Sequence, residues 1–237
     1  MDIVQKMRLT LAFALMNIGA VLTAESDHPL VVERERENGV ERGFLLKLHE
    51  KNPEAPLSPF FLNLRTPDNP KPGPLTPEIV EFAARCMRDV QANRGLSFDA
   101  TAGIPRAGDP FAKALARLYG MNAIVLEKIE RDGKRCVALP SDFWLPARIK
   151  KALGVDDLIT KADSKREAIG VWRGVGLEVT DILVLVDREQ GGREELAGLG
   201  CTLHSVFTIT ELLDLYVDAG KMTSHLRIDI HAYLARA

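Results

Sequence analysis

From residue 98 onward the chain alternates short apolar runs rich in β-branched residues with longer stretches of helical periodicity. That alternation restricts the possible folds more than any other feature. The apolar runs occupy residues 98–103, 123–126 and 181–186, with a shorter one at 203–207. Helical patterns fill 77–93, 110–118, 164–175, 193–199 and 209–217. Parallel neighbours in a sheet need a long return connection, and helices supply it. The order of segments therefore predicts an α/β fold, a central parallel sheet flanked by helices. Ligands in such sheets bind beyond the carboxyl ends of the strands, so candidate site residues lie just after each strand. One segment fits poorly: Lys150 and Lys151 make residues 149–155 less apolar than a buried central strand should be.

Ahead of the alternating region, Pro53, Pro56, Pro59, Pro67, Pro70, Pro72, Pro74 and Pro77 make residues 51–77 a loop-rich connector. Thr76 and Pro77 then open a helix, as N-cap and first helical residue. We expect three parts: an N-terminal segment (1–75), the α/β core (76–220) and a short helical tail (221–237). At the other end, Lys6 and Arg8 precede an apolar run at 9–24, the outline of a secretory signal. The run is too short and too interrupted to span a membrane. Met7, Leu11, Leu15 and Ile18 recur at helical spacing, so we read it as a native first helix closing at Gly19.

A formal charge of −2 gives no electrostatic case for nucleic acid or an anionic membrane surface. The three cysteines, Cys86, Cys136 and Cys201, are widely spaced and include no CxxC pair. They suit a reducing compartment, the cytoplasm, as small buried hydrophobes rather than disulfide partners or zinc ligands.

Four stretches carry chemistry. Val155-Asp156-Asp157-Leu158-Ile159 places an acid pair at a strand end, and Thr160-Lys161-Ala162-Asp163-Ser164 leads into a helix. Free N–H groups of such a turn can hold a phosphate, while paired carboxylates can grip sugar hydroxyls or a cation. An acidic loop in which Asp163 or Ser164 merely caps the helix would read the same way. Asp187-Arg188-Glu189-Gln190-Gly191-Gly192 follows the 181–186 run, and Leu203-His204-Ser205-Val206 comes soon after. Phe44-Leu45-Leu46-Lys47 precedes Ser58-Pro59-Phe60-Phe61-Leu62. Residues 102–110, with Gly103, Arg106 and Gly108, form a glycine-bearing loop between a strand and a helix.

Together these strings resemble the orotate phosphoribosyltransferases, including the domain found in uridine monophosphate synthases, and the resemblance covers nearly the whole chain. It implies the type I phosphoribosyltransferase fold with a small N-terminal hood. It further implies transfer of 5-phosphoribosyl from phosphoribosyl pyrophosphate to orotate, a homodimer, and Mg²⁺ carried by the pyrophosphate rather than by protein ligands. By the same likeness Asp156 and Asp157 hold the ribose, and Thr160, Lys161, Ala162, Asp163 and Ser164 the 5′-phosphate. Arg188, Phe60, Phe61 and Lys47 hold the base, Arg106 belongs to the pyrophosphate loop, and Lys128 and Arg131 supply charge from a mobile loop. The alternative for Phe60 and Phe61 is that they are simply core, and His204 is assigned a structural role.

Two departures bear on activity. The phosphate turn has no glycine, and an L-residue at positive φ there costs about 1–2 kcal/mol. The loop corresponding to 126–135 carries Glu127 and Glu130 among its basic residues and no histidine. A catalytically degenerate binding or regulatory protein on the same fold is therefore the alternative expectation.

Overall fold

The structure is a computed structural model and describes residues 2–37, 39–131 and 133–235. Helix α1 (Ile3–Asn17) is opened by a capping box in which Asp2 and Gln5 each accept the other's backbone N–H. It ends before Gly19, whose φ of +74° suits a residue with no Cβ. The hood follows: β1 (Val21–Thr23), the hairpin β2 (Val32–Arg36) and β3 (Gly39–Gly43), a 3₁₀ turn (Lys47–Glu50) and β4 (Phe60–Leu62). Strand β4 pairs antiparallel with β1, which folds the connector back onto the end of α1.

Helix α2 (Pro77–Arg94) starts on the predicted Thr76 cap. Then come β5 (Ala100–Gly103), α3 (Asp109–Tyr119), β6 (Ala123–Ile124), β7 (Glu127–Arg131) and β8 (Lys134–Ala138). The chain continues through β9 (Lys151–Ile159), α4 (Asp163–Gly174), β10 (Glu178–Asp187), α5 (Gly192–Ala197), β11 (Thr202–Thr208), α6 (Ile209–Asp218) and α7 (Ser224–Leu234). Five strands form one parallel sheet in the order β11-β10-β9-β5-β6, as the alternation predicts.

Successive side chains of β10 face opposite layers. Leu183 and Leu185 join the core under α1, α2, α3 and α6, whereas Ile182 and Val184 join the one under α4 with Ala168, Ile169 and Trp172. Each such side chain, fully buried, contributes roughly 1.5–3 kcal/mol. Among the described residues no helix is long and apolar enough to cross a membrane.

The poorly apolar segment proves to be the middle strand. Residues 152–157 of β9 are buried, 152–155 of them between β10 and β5, and the lysine at the strand's start stays only half-buried. This residue, Lys151, is paired, its Nζ lying 3.5 Å from Asp181 and 3.7 Å from Glu178. The acid pair also lies within this strand and not beyond its end. Pairing with β10 continues through Asp156 opposite Val184 and Ile159 opposite Asp187. The 126–135 region, assigned by the resemblance to a mobile loop, forms an antiparallel hairpin, β7 on β8; Asp132 lies outside the described residues.

Candidate active site

Beyond the carboxyl ends of β5 and β9 opens a cavity of roughly 710 Å³. Its walls include the 104–107 loop, Asp156, Asp157, Ser164 and Lys165, and from the hairpin Lys128, Glu130 and Arg135. The loop lies close to β9 because Gly108 lacks a side chain. A Cβ there would sit 2.2 Å from the Val155 carbonyl oxygen and 2.9 Å from the Asp156 Cα. The Pro105–Arg106 peptide is cis, and Arg106 stands exposed at the mouth. Arg106 and Lys128 also border a second, neighbouring cavity.

The acid pair is held by a lysine that the sequence reading passed over. Lys165 Nζ lies 2.5 Å from Asp156 Oδ2 and donates to the Leu158 carbonyl at 2.7 Å, with both charged side chains about 5% exposed. Such a pair persists in the interior only because each charge compensates the other. Asp156 Oδ1 accepts the Asp157 N–H, and Asp157 Oδ1 accepts that of Leu158. Burial, and after it the charge of Asp156, pushes the Asp157 carboxyl well above the usual carboxylate range. Asp109, first residue of α3, is pushed up to about 7 by burial, and its Oδ1 has no hydrogen-bond partner.

The phosphate turn closes without the strain expected of it. Ala162, the residue before α4, has φ −93°, and no residue from Thr160 to Ser164 takes a left-handed conformation. Neither Asp163 nor Ser164 caps the helix: the preceding Ala162 does, with no side-chain bond of its own. Instead its N–H donates to Glu195 Oε2 of α5 at 2.7 Å. Of the five turn residues Ser164 borders the cavity, Thr160 is half-buried, Ala162 is buried, and Lys161 and Asp163 are exposed.

Arg188 follows β10, and its N–H donates to the Ile159 carbonyl at the end of β9. Its guanidinium lies 5.2 Å from the centre of the Phe60 ring, within cation–π range, so these two predicted base-site residues do meet. Arg188 Nε is buried with no partner, and burial pulls this guanidinium below its usual range. Tyr233 of α7 packs edge-on against Phe60, ring centres 6.4 Å apart. Phe60 is also buried in the core, the alternative expected of it, while Phe61 stacks on Phe44 at 5.6 Å. Asp187 serves the turn, accepting the Glu189 N–H and pairing with Arg193 at 3.0 Å.

The cavity thus gathers Asp156, Asp157, Arg106, Lys128 and Ser164, but Arg188, Phe60, Phe61 and Lys47 are not in its lining. Lys47 is exposed on the 3₁₀ turn, which buried His49 anchors through the backbones of Leu46 and Pro56. Arg131, the last residue of β7, is exposed and does not border the cavity either, although Lys128, Ile129 and Glu130 before it do. Its place is taken by Arg135, which lies opposite Glu130 in the hairpin register. Arg135, Lys165 and Glu195 were all missed. Lys165 did leave a signal, a charge on the apolar face that α4 builds from Ala168, Ile169 and Trp172. His204 pairs with Asp181 at 2.9 Å, far from the strand ends that form the site.

No family model matches the chain. It is 34% identical over 143 residues to an orotate phosphoribosyltransferase of Leptospira biflexa, covering 58% of this chain and 76% of that protein. With bovine uridine 5′-monophosphate synthase it shares 30% identity over 173 residues, 70% of this chain but 33% of that longer protein. Among solved structures, a uridine monophosphate synthase of Leishmania donovani matches with a TM-score of 0.66 and 26% identity, over 97% of this chain and 42% of the other. Relatives in sequence and in fold are thus of one kind, and the chain belongs to the orotate phosphoribosyltransferase family.

Proposed function

We propose that this chain joins N1 of orotate to C1 of phosphoribosyl pyrophosphate, giving orotidine monophosphate and pyrophosphate. One observation carries the reading: a loop pressed against β9, a buried acid pair and several cations surround a single cavity at the sheet's carboxyl edge. The C1–N1 bond forms as the C1–O bond to pyrophosphate breaks; the electron pair of that bond leaves on pyrophosphate, and the N1 proton is released to it or to solvent. Asp156 and Asp157 accept the ribose hydroxyls, with Lys165 holding Asp156 in place. Arg106, Lys128 and Arg135 offset the charge that grows on the leaving group, with Arg131 at the end of the same hairpin strand. The turn from Thr160 through Lys161, Ala162 and Asp163 to Ser164 receives the 5′-phosphate on its N–H groups.

The base falls to Arg188, whose unpartnered Nε is a ready donor to a carboxylate or ring carbonyl, with Phe60 against it, and we assign Phe61 and Lys47 to the same task. Mg²⁺ is the cation we assign to the pyrophosphate, where it would neutralise the leaving group. The oxygen donors of Asp156 and Asp157 suit a hard cation, and its charge would draw the raised Asp157 carboxyl back toward ionisation. Among the described residues no cluster of three or more potential ligands would hold it alone. The family resemblance adds a homodimer and a cytoplasmic setting to the same reading.

A second reading, a protein that binds the sugar phosphate without turnover, is favoured by the carboxylate already seated on the phosphate turn. Measuring pyrophosphate release from orotate plus phosphoribosyl pyrophosphate separates the two. Turnover is expected, and Arg188→Ala should lower kcat/KM for orotate by roughly 100-fold or more. No release at high enzyme concentration would move the assignment to the binding protein.

A further inference from the structure

The phosphate turn is engaged by the chain's own carboxylate. Glu195 Oε2 accepts the Ala162 N–H at 2.7 Å, in the middle of the segment assigned to the 5′-phosphate. The contact is built by α5. Gly192, one helical turn before Glu195 on the same face, has no Cβ to strike Ile159 Cγ1 at 2.5 Å or the Thr160 carbonyl at 3.0 Å. That close approach carries the Glu195 carboxylate to the turn, 33 residues away in sequence. Glu195 is only half-buried, so its side chain has solvent to move into.

We propose that Glu195 sets the affinity for the sugar phosphate by competing with it for the turn. A phosphate oxygen on the Ala162 N–H and the Glu195 carboxylate cannot occupy the same place, and two anions brought that close repel. Phosphate binding therefore displaces Glu195, and its affinity is lowered by the charge-assisted hydrogen bond that is given up. Displacement leaves the turn's backbone unchanged, because its φ angles need no carboxylate to hold them. The inference rests on the transfer reading for the identity of the anion, phosphoribosyl pyrophosphate, and extends it to a residue outside the cavity lining.

The test is calorimetric titration of the whole 237-residue chain, as wild type, Glu195→Gln and Glu195→Ala, with inorganic phosphate and then with phosphoribosyl pyrophosphate. Both variants should bind both probes more tightly, the alanine variant by about tenfold, the scale of one charge-assisted hydrogen bond. The glutamine variant, which keeps an acceptor but no charge, should fall between. In turnover assays KM for phosphoribosyl pyrophosphate should drop while KM for orotate holds. Unchanged or weaker binding in the variants, or no phosphate binding by any of the three forms, overturns the proposal. Tightened binding without turnover would sustain Glu195 as competitor and remove the enzymatic reading. Turnover with an unaltered KM would do the reverse.

Discussion

Lys165 shows how one residue can decide whether a site exists at all. Two adjacent carboxyls are buried in β9, and the nearest opposite charge is its ammonium, 2.5 Å from Asp156. Lys165→Met keeps much of the side-chain volume and removes the charge, so the acid pair is left uncompensated. Breaking such a pair costs about 3–5 kcal/mol. Urea denaturation at pH 7 should register that loss. A loss under about 1 kcal/mol would mean the pair adds nothing net.

Asp109 gives a second expectation with a sign. Burial raises it to about 7 from an ordinary 3.8, so the folded state prefers its protonated form. Its favourable contribution is present below about pH 4, fades as the pH rises toward 7, and is absent above. Asp109→Asn should therefore stabilise the protein at pH 8, by a few kcal/mol at most, and little at pH 4. Thermal unfolding at the two pH values checks this. Equal gains at both would place the effect in packing and not in charge.

At the scale of elements, the alternation of runs was enough to foresee β5, β10 and β11 and the helices between them, because those segments satisfy themselves locally. The Thr76–Pro77 start of α2 and the closure of α1 at Gly19 were legible for the same reason. Strand β9 was harder to place, since its charges are answered by residues distant in sequence. Lys151 meets Glu178 and Asp181, while Asp156 meets Lys165. The hairpin of β7 and β8 was hidden by its charge-rich composition, and the contact of Glu195 with the turn has no local signal at all. The tail, whose purpose the sequence left open, forms α7 and brings Tyr233 edge-on to Phe60 beneath Arg188. An edge-on aromatic pair is worth about 0.5–1.5 kcal/mol. Tyr233→Ala should accordingly loosen Arg188 and raise KM for orotate several-fold, with KM for phosphoribosyl pyrophosphate little changed. Equal shifts in both constants would reduce α7 to a packing role.

Across the whole molecule, the first and last helices share one core with the sheet. Leu11 and Leu15 of α1 are fully buried in the same cluster as Leu212, Tyr216 and Ile230. The two ends are also pinned by a hydrogen bond from the buried Tyr216 hydroxyl to the Ala12 carbonyl at 2.8 Å. This closure was not visible from the sequence, which shows an apolar face on α1 but not what covers it. It has a consequence for synthesis. The opening helix leaves the ribosome some 200 residues ahead of Tyr216, with its greasy side waiting for a surface not yet made. During translation that side relies on temporary contacts, and the native core closes only once Tyr216 and the residues around it have emerged.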